Sequence, residues 1–212
     1  AQQRIRAVLR LPQVWLIALV VFAAYWLYIT SYDFPAFAEK TYGVDPVFGA
    51  TLGTFRDWLR PAAAIGAGLL ADRLRGTRVI ALCFGSLVLG YGMMALGPTD
   101  TAYLWLLWVE VAAIATCLFA LRGVYYALLQ EGKIPVLLTG TAVGIISVIG
   151  YVPDSFGYLL IGWFVDEYGA ASGYAAYFGL MSILAAAGLT ATLLLRRVVL
   201  AQPTKKSSPA QA

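Results

Sequence analysis

Three charged side chains crowd one turn of an otherwise apolar stretch: Arg56, Asp57 and Arg60. Arg56 and Arg60 are four residues apart and share a helical face, while Asp57 and Arg60, three apart, are within pairing reach. A guanidinium is a planar fork that makes two parallel hydrogen bonds to carboxylate, phosphate or nitrate, so this face suits capture of an anionic solute. The same residues suit an ion-pair cluster that draws in Glu110 or Asp154, the acidic residues within two later apolar stretches. Both readings stand at this level. Glu110 and Asp154 carry a proton in the first, or act only as counter-charges to Arg56, Arg60 or Arg122 in the second. Tyr25, Tyr28, Trp58 and Tyr151 are the aromatic side chains available to line a cavity around the cations. Pro61 follows Arg60 directly and removes a backbone donor, which opens the helix ladder beside the charges.

Other chemistry finds little support. The chain has no histidine, and no nucleophile–base pair is evident, so it does not read as an enzyme. Cys83 and Cys117 fall in different apolar stretches and read as small buried hydrophobes, not as a disulfide or metal ligands. No metal and no cofactor is expected.

The elements that must position these charges are membrane helices. Hydrophobic residues make up 61% of the 212 and charged residues 12%, with a mean hydropathy of +0.77. That leaves too little polar surface for a water-soluble domain. Six apolar stretches, at residues 14–32, 47–70, 79–96, 102–121, 136–165 and 174–195, each reach the roughly 20 residues that cross a bilayer as a helix. Alternating strand patterns are absent, which argues against a barrel. The fifth stretch contains Pro153, which predicts a kink or a tilt. Three charges near a helix centre cost roughly 8–10 kcal/mol together, against about 0.3–0.6 kcal/mol returned by each large apolar neighbour. The second stretch must therefore face other helices or water. By contrast, the third and sixth stretches hold no charge between their ends.

Lys and Arg set the orientation. Arg4, Arg6 and Arg10 precede the first stretch, and Arg73, Arg75 and Arg78 join the second to the third. Arg122 and Lys133 flank the next connection on that side, and Arg196 and Arg197 follow the last stretch. The alternate connections hold Asp33, Glu39, Asp45, Asp100, Asp166 and Glu167, with Lys40 their one basic residue. The positive-inside rule thus predicts that both termini are cytoplasmic. The net charge of +4 follows from this topology and needs no nucleic-acid partner. Residues 1–12 read as a cytoplasmic linker, 13–197 as a six-helix transmembrane domain and 198–212 as a disordered tail. The chain opens on Ala1 without a cleavable signal pattern and reads as a piece of a longer polypeptide. Trp105, Trp108 and Trp163 read as interfacial anchors, and the pairs Gly66/Gly68 and Gly140/Gly144 as points of close helix contact.

Residues 68–78, Gly-Leu-Leu-Ala-Asp-Arg-Leu-Arg-Gly-Thr-Arg, carry the most specific motif. They resemble the loop signature of the major facilitator superfamily, Gly-x-Leu-Ala-Asp-Arg-x-Gly-Arg-Lys/Arg, which lies between helices 2 and 3 and more loosely between 8 and 9. Gly68, Leu70, Ala71, Asp72 and Arg73 match in register; Arg75 and Gly76 are transposed, and Arg78 alone keeps a basic position. The degenerate copy implies the C-terminal half, helices 7 to 12, in which the uncharged third and sixth stretches become the supporting helices 9 and 12. Gly68, Asp72, Arg73 and Arg78 are then a conformational motif. The spacing Gly68-x-x-x-Asp72 recurs as Gly162-x-x-x-Asp166 at the end of the second helix of each three-helix set. An inverted 3+3 repeat would give that pattern, and so would ordinary helix-end turns. Residues 139–154 are similar to helix 11 of porter-like members. In the nitrate/nitrite-porter-like branch a buried helix-8 arginine contacts substrate, which implies that role for Arg56 or Arg60.

The expectation is an all-α, multi-pass protein of the bacterial inner membrane. It would be the C-terminal half of a secondary active transporter that moves a small anionic solute by alternating access, with proton coupling as an option. Its partners would be the solute, the lipid bilayer and an N-terminal six-helix half. A non-transporting membrane scaffold or assembly subunit is the alternative.

Overall fold

The computed structural model describes residues 2–201, and they form ten α-helices with no strand. Helix α1 (Gln2–Leu9) lies where a linker was expected, and α2 (Pro12–Thr30) starts on a proline whose missing N–H costs nothing in a first turn. A 3₁₀ turn at Ser31–Asp33 leads straight into α3 (Phe34–Tyr42), which ends at Gly43 with φ +67°. Helix α4 (Pro46–Leu74) is capped by Asp45, whose carboxylate accepts from the Phe48 N–H at 2.7 Å. Arg75 alone separates it from α5 (Gly76–Leu96). Then follow α6 (Leu104–Val124), a 3₁₀ turn at Tyr125–Ala127, α7 (Leu128–Glu131), α8 (Val136–Gly150), α9 (Gly157–Tyr168) and α10 (Ala170–Ala201).

Five helical segments are long and apolar enough to cross a membrane: Pro12–Tyr42, Gly76–Leu96, Thr101–Glu131, Val136–Tyr168 and Ala170–Leu200. Helix α4, at 29 residues and about 44 Å, has the length, but its charges lower its apolarity. Several expected connections are helical instead. Residues 33–42 and 122–131 stay helical through a 3₁₀ turn each, with Pro35 seated in the first turn of α3, and end at Gly43 and Gly132. The break expected at Pro153 is present: α8 stops at Gly150, a 3₁₀ turn spans Val152–Ser155, and α9 resumes at Gly157. Of the expected tail, residues 198–201 belong to α10; residues 202–212, like Ala1 of the expected linker, lie outside the described residues.

Helix α2 is the hub. It packs on α10, α8 and α6, while α4 packs on α6 and α3, and α5 on α10 and α6. Its inward side chains, among them Ile17, Val20, Ala24 and Leu27, are fully or almost fully buried. Close approach uses glycines other than those singled out in sequence. A Cβ on Gly150 would lie 2.5 Å from Val21 Cγ1, and one on Gly157 would lie 2.7 Å from Ile29 Cδ1. Gly66, Gly68, Gly140 and Gly144 face open space, so they make no close helix contact here. One end of the bundle gathers Arg75, Lys133 and Arg196 around a common cavity of about 310 Å³. At the other end the Tyr42 hydroxyl donates to the Pro98 carbonyl at 3.2 Å.

Candidate functional site

Helix α2 presents Tyr25 and Tyr28, and the 3₁₀ turn after it presents Tyr32, at positions i, i+3 and i+7, and the three rings follow one another along one side. Tyr28 is buried, Tyr32 is 44% exposed, and their hydroxyls share a hydrogen bond. The long side chains of Arg56 and Arg60 on α4 reach this side together. Arg60 is the fifteenth of 29 residues, so it lies at the middle of its helix.

The two arginines have different surroundings. Arg56 is 2% exposed and fully engaged: Nη2 and Nε donate to Asp57 Oδ1 at 2.7 and 3.2 Å, and Nη1 donates to Ser31 Oγ at 3.3 Å. Its guanidinium carbon lies 4.0 Å from the centre of the Tyr32 ring. Arg60 donates through Nη2 to the Tyr28 hydroxyl at 2.6 Å and sits 5.2 Å from the Phe119 ring centre. The expected Asp57–Arg60 pair is not formed; Asp57 pairs with Arg56, the one ion pair among the described residues. The reason is geometric: the long Arg56 side chain folds back along its own helix, while Tyr28 holds Arg60 toward α2.

Tyr25 and Tyr151 also join the cluster, with ring centres 4.5 Å apart. The Tyr25 hydroxyl donates to Asp154 Oδ2 at 2.7 Å, so Asp154 is tied to a tyrosine and not to an arginine. The Tyr151 hydroxyl meets those of Tyr125 and Tyr126 at 3.2 and 3.3 Å, and Tyr126 meets Ser147 Oγ at 3.1 Å. The result is a strip of guanidinium groups, aromatic faces and hydroxyls across α2, α4, α6 and the α8–α9 break. Fixed donors beside aromatic walls can orient an oxyanion and cover its organic part.

Two expected members lie elsewhere. Glu110 is buried, but it lines an apolar cavity of about 430 Å³ between α5 and α6 with Val88, Met93 and Leu106, and forms no ion pair. Trp58 is 77% exposed and makes no ring contact with Tyr25, Tyr28 or Tyr151 among the described residues. Trp108 is half-buried and packs its ring against Phe48 and Phe55, with centres 5.6 and 5.1 Å away. Trp105 and Trp163 remain more than half exposed. Cys83 and Cys117 are free thiols that line one cavity between α4, α5 and α6.

Sequence reasoning treated Arg122 as a flanking charge. Because α6 is followed by helical turns to Glu131, Arg122 lies nine residues inside that segment, with its guanidinium carbon 4.1 Å from the Tyr28 ring centre. The available signal was the run Glu131-Gly132-Lys133, a stronger polar boundary than one arginine. Glu131 was missed as well. Its carboxylate accepts from the Gly76 N–H and, at 3.1 Å, from the Thr77 N–H, which caps the start of α5. In the motif of residues 68–78, the side chains of Asp72, Arg73 and Arg78 are exposed and make no hydrogen bond or ion pair among the described residues. Arg75 takes φ +72° and ψ 141°, a backbone region that glycine enters freely and arginine does not.

These features define an all-helical, multi-pass integral membrane protein in contact with the lipid bilayer. Comparison with characterised sequences is consistent with the same location. The chain is 32% identical over 178 residues to the inner membrane protein YqcE of Escherichia coli (strain K12), covering 80% of the chain and 41% of that protein. It is 26% identical over 192 residues to the inner membrane protein YihN of the same organism, covering 89% of the chain and 46% of that protein. The chain therefore spans less than half the length of these curated relatives, and it is a protein of the bacterial inner membrane. No family model matches it, and no solved structure matches it.

Proposed function

We propose that this chain is the C-terminal six-helix half of a secondary transporter of the major facilitator type, which moves a small anionic solute by alternating access. The observation that carries the reading is Arg60: a guanidinium at the middle of a membrane-length helix, held by a tyrosine hydroxyl, with no carboxylate partner among the described residues. Such a charge is retained in a membrane where it has a ligand or water to meet. Arg56 and Asp57 act beside it as a neutral brace, and Asp154 with Tyr25 is the group available for proton coupling.

The packing supports an inverted repeat. Exchange of the first three spans with the last three maps the α2–α8 contact onto α6–α4 and the α5–α6 contact onto α10–α2, while α5–α10 and α2–α6 map onto themselves. The first span of each set also ends alike, in a 3₁₀ turn and a short helix. On this reading α4 is the sixth span, both termini are cytoplasmic, and the longer relatives leave room for an N-terminal half that covers the arginine strip. The scaffold alternative explains the Arg56–Asp57 brace but leaves Arg60 without a role.

The test is uptake of radiolabelled organic anions into proteoliposomes that contain the full native polypeptide. Arg60→Gln is expected to lower kcat/KM about 10–100-fold, as expected for loss of a charge-assisted hydrogen bond. Full uptake by Arg56→Gln and Arg60→Gln alike would remove the anion-binding role.

A further inference from the structure

We infer that Arg122 is a second ligand for the solute, and that Arg60 and Arg122 together clamp one doubly charged oxyanion group across Tyr28. This rests on the anion-carrier reading above and adds a residue and a charge class to it. Three observations carry it. First, both guanidinium groups converge on a single side chain: Arg60 Nη2 is 2.6 Å from the Tyr28 hydroxyl, and the Arg122 guanidinium carbon is 4.1 Å from the ring centre. Second, Nη1 of Arg122 is buried without a hydrogen-bond acceptor among the described residues, an unmet donor that a bound oxyanion would satisfy. Third, neither cation has an ion-pair partner among the described residues. Arg56 and Asp57 cancel, Asp154 is engaged by the Tyr25 hydroxyl, and no carboxylate lies within ion-pair distance of Arg60 or Arg122 among the described residues.

Two cations without carboxylate partners can each pair with one charge of a doubly negative group, such as a phosphate, phosphonate or sulfate, whereas a carboxylate or nitrate brings one charge for the two. The geometry agrees with this, because two planar forks from different helices, α4 and α6, can share the oxygens of one tetrahedral head. The aromatic faces of Tyr25, Tyr28 and Phe119 then flank whatever organic group the head carries.

The experiment uses the full native polypeptide in detergent and follows its melting temperature against inorganic phosphate, sulfate, acetate and nitrate at constant ionic strength. Phosphate and sulfate are expected to stabilise the parent more than acetate or nitrate. Arg60→Gln and Arg122→Gln are each expected to weaken apparent phosphate affinity about 10–100-fold. Arg122→Lys keeps a cation over Tyr28 but loses the fork; it should melt like the parent in chloride and still bind phosphate weakly. If Arg122→Gln or Arg122→Lys keeps the parent's phosphate affinity while Arg60→Gln loses it, Arg122 merely packs on Tyr28 and the inference fails, with the anion site intact. Equal stabilisation by acetate and phosphate removes the two-charge clamp. If no anion stabilises the parent, the anion-carrier reading fails first.

Discussion

Arg56 and Arg60 sit one helical turn apart and carry opposite expectations. Arg56 spends its donors on Asp57 and Ser31 and lies against the Tyr32 ring, so its removal is felt first in folding. Arg56→Gln is expected to lower stability by about 1–3 kcal/mol, since it strands Asp57 and drops a charge-assisted hydrogen-bond set; thermal unfolding in detergent measures this. Asp57 is 56% exposed at its side chain, which keeps the figure at the low end of what a broken buried pair costs. Arg60→Gln should melt within about 0.5 kcal/mol of the parent, because an exposed side chain with one hydrogen bond contributes little to the fold. A large melting shift for Arg60→Gln without an uptake defect would reverse this assignment.

At the scale of the element, α8, α9 and the turn between them show how backbone position substitutes for sequence signal. Gly150 and Gly157 let α8 and α9 close on α2, whereas Gly140 and Gly144 face open space. Gly150→Val and Gly157→Val are therefore expected to cost about 1–3 kcal/mol by overpacking, and the same change at Gly140 or Gly144 to fall within about 0.5 kcal/mol of the parent. The α4–α5 junction makes a second prediction. Arg75 holds a positive φ that glycine enters freely, and Gly76 lies where a Cβ would meet Glu131 Oε1 at 2.9 Å. Glycine at position 76 thus leaves room for the Glu131 cap, and arginine at position 75 is strained. Arg75→Gly should raise stability by about 1 kcal/mol, and Glu131→Ala should lower it by a similar amount; melting of the two single variants checks both.

For the molecule as a whole, the testable statement is topology. Arg75, Lys133 and Arg196 share one end of the bundle, and Tyr42 meets Pro98 at the other, so successive spans run antiparallel. In a Cys83→Ser/Cys117→Ser background, Asp100→Cys is expected to react with a membrane-impermeant maleimide in intact spheroplasts. Lys133→Cys should react only after permeabilisation. The reverse pattern would invert the bundle.

The sequence by itself determined the class of the protein. Long apolar runs admit few solutions other than membrane helices, and a charge within such a run needs a partner, so the pairing of Arg56 and Arg60 with aromatic side chains such as Tyr28 was legible. The kink at Pro153 was legible for the same local reason, a missing backbone donor. Partner choice was not. Which carboxylate Arg56 takes, that Asp154 holds Tyr25, that Glu110 and Trp58 stand apart, and that Arg122 reaches Tyr28 all depend on how the helices rotate and cross. Hydrophobic periodicity leaves those rotations undetermined here, because most spans are apolar nearly all round; close contacts at residues such as Gly150 and Gly157 settle them.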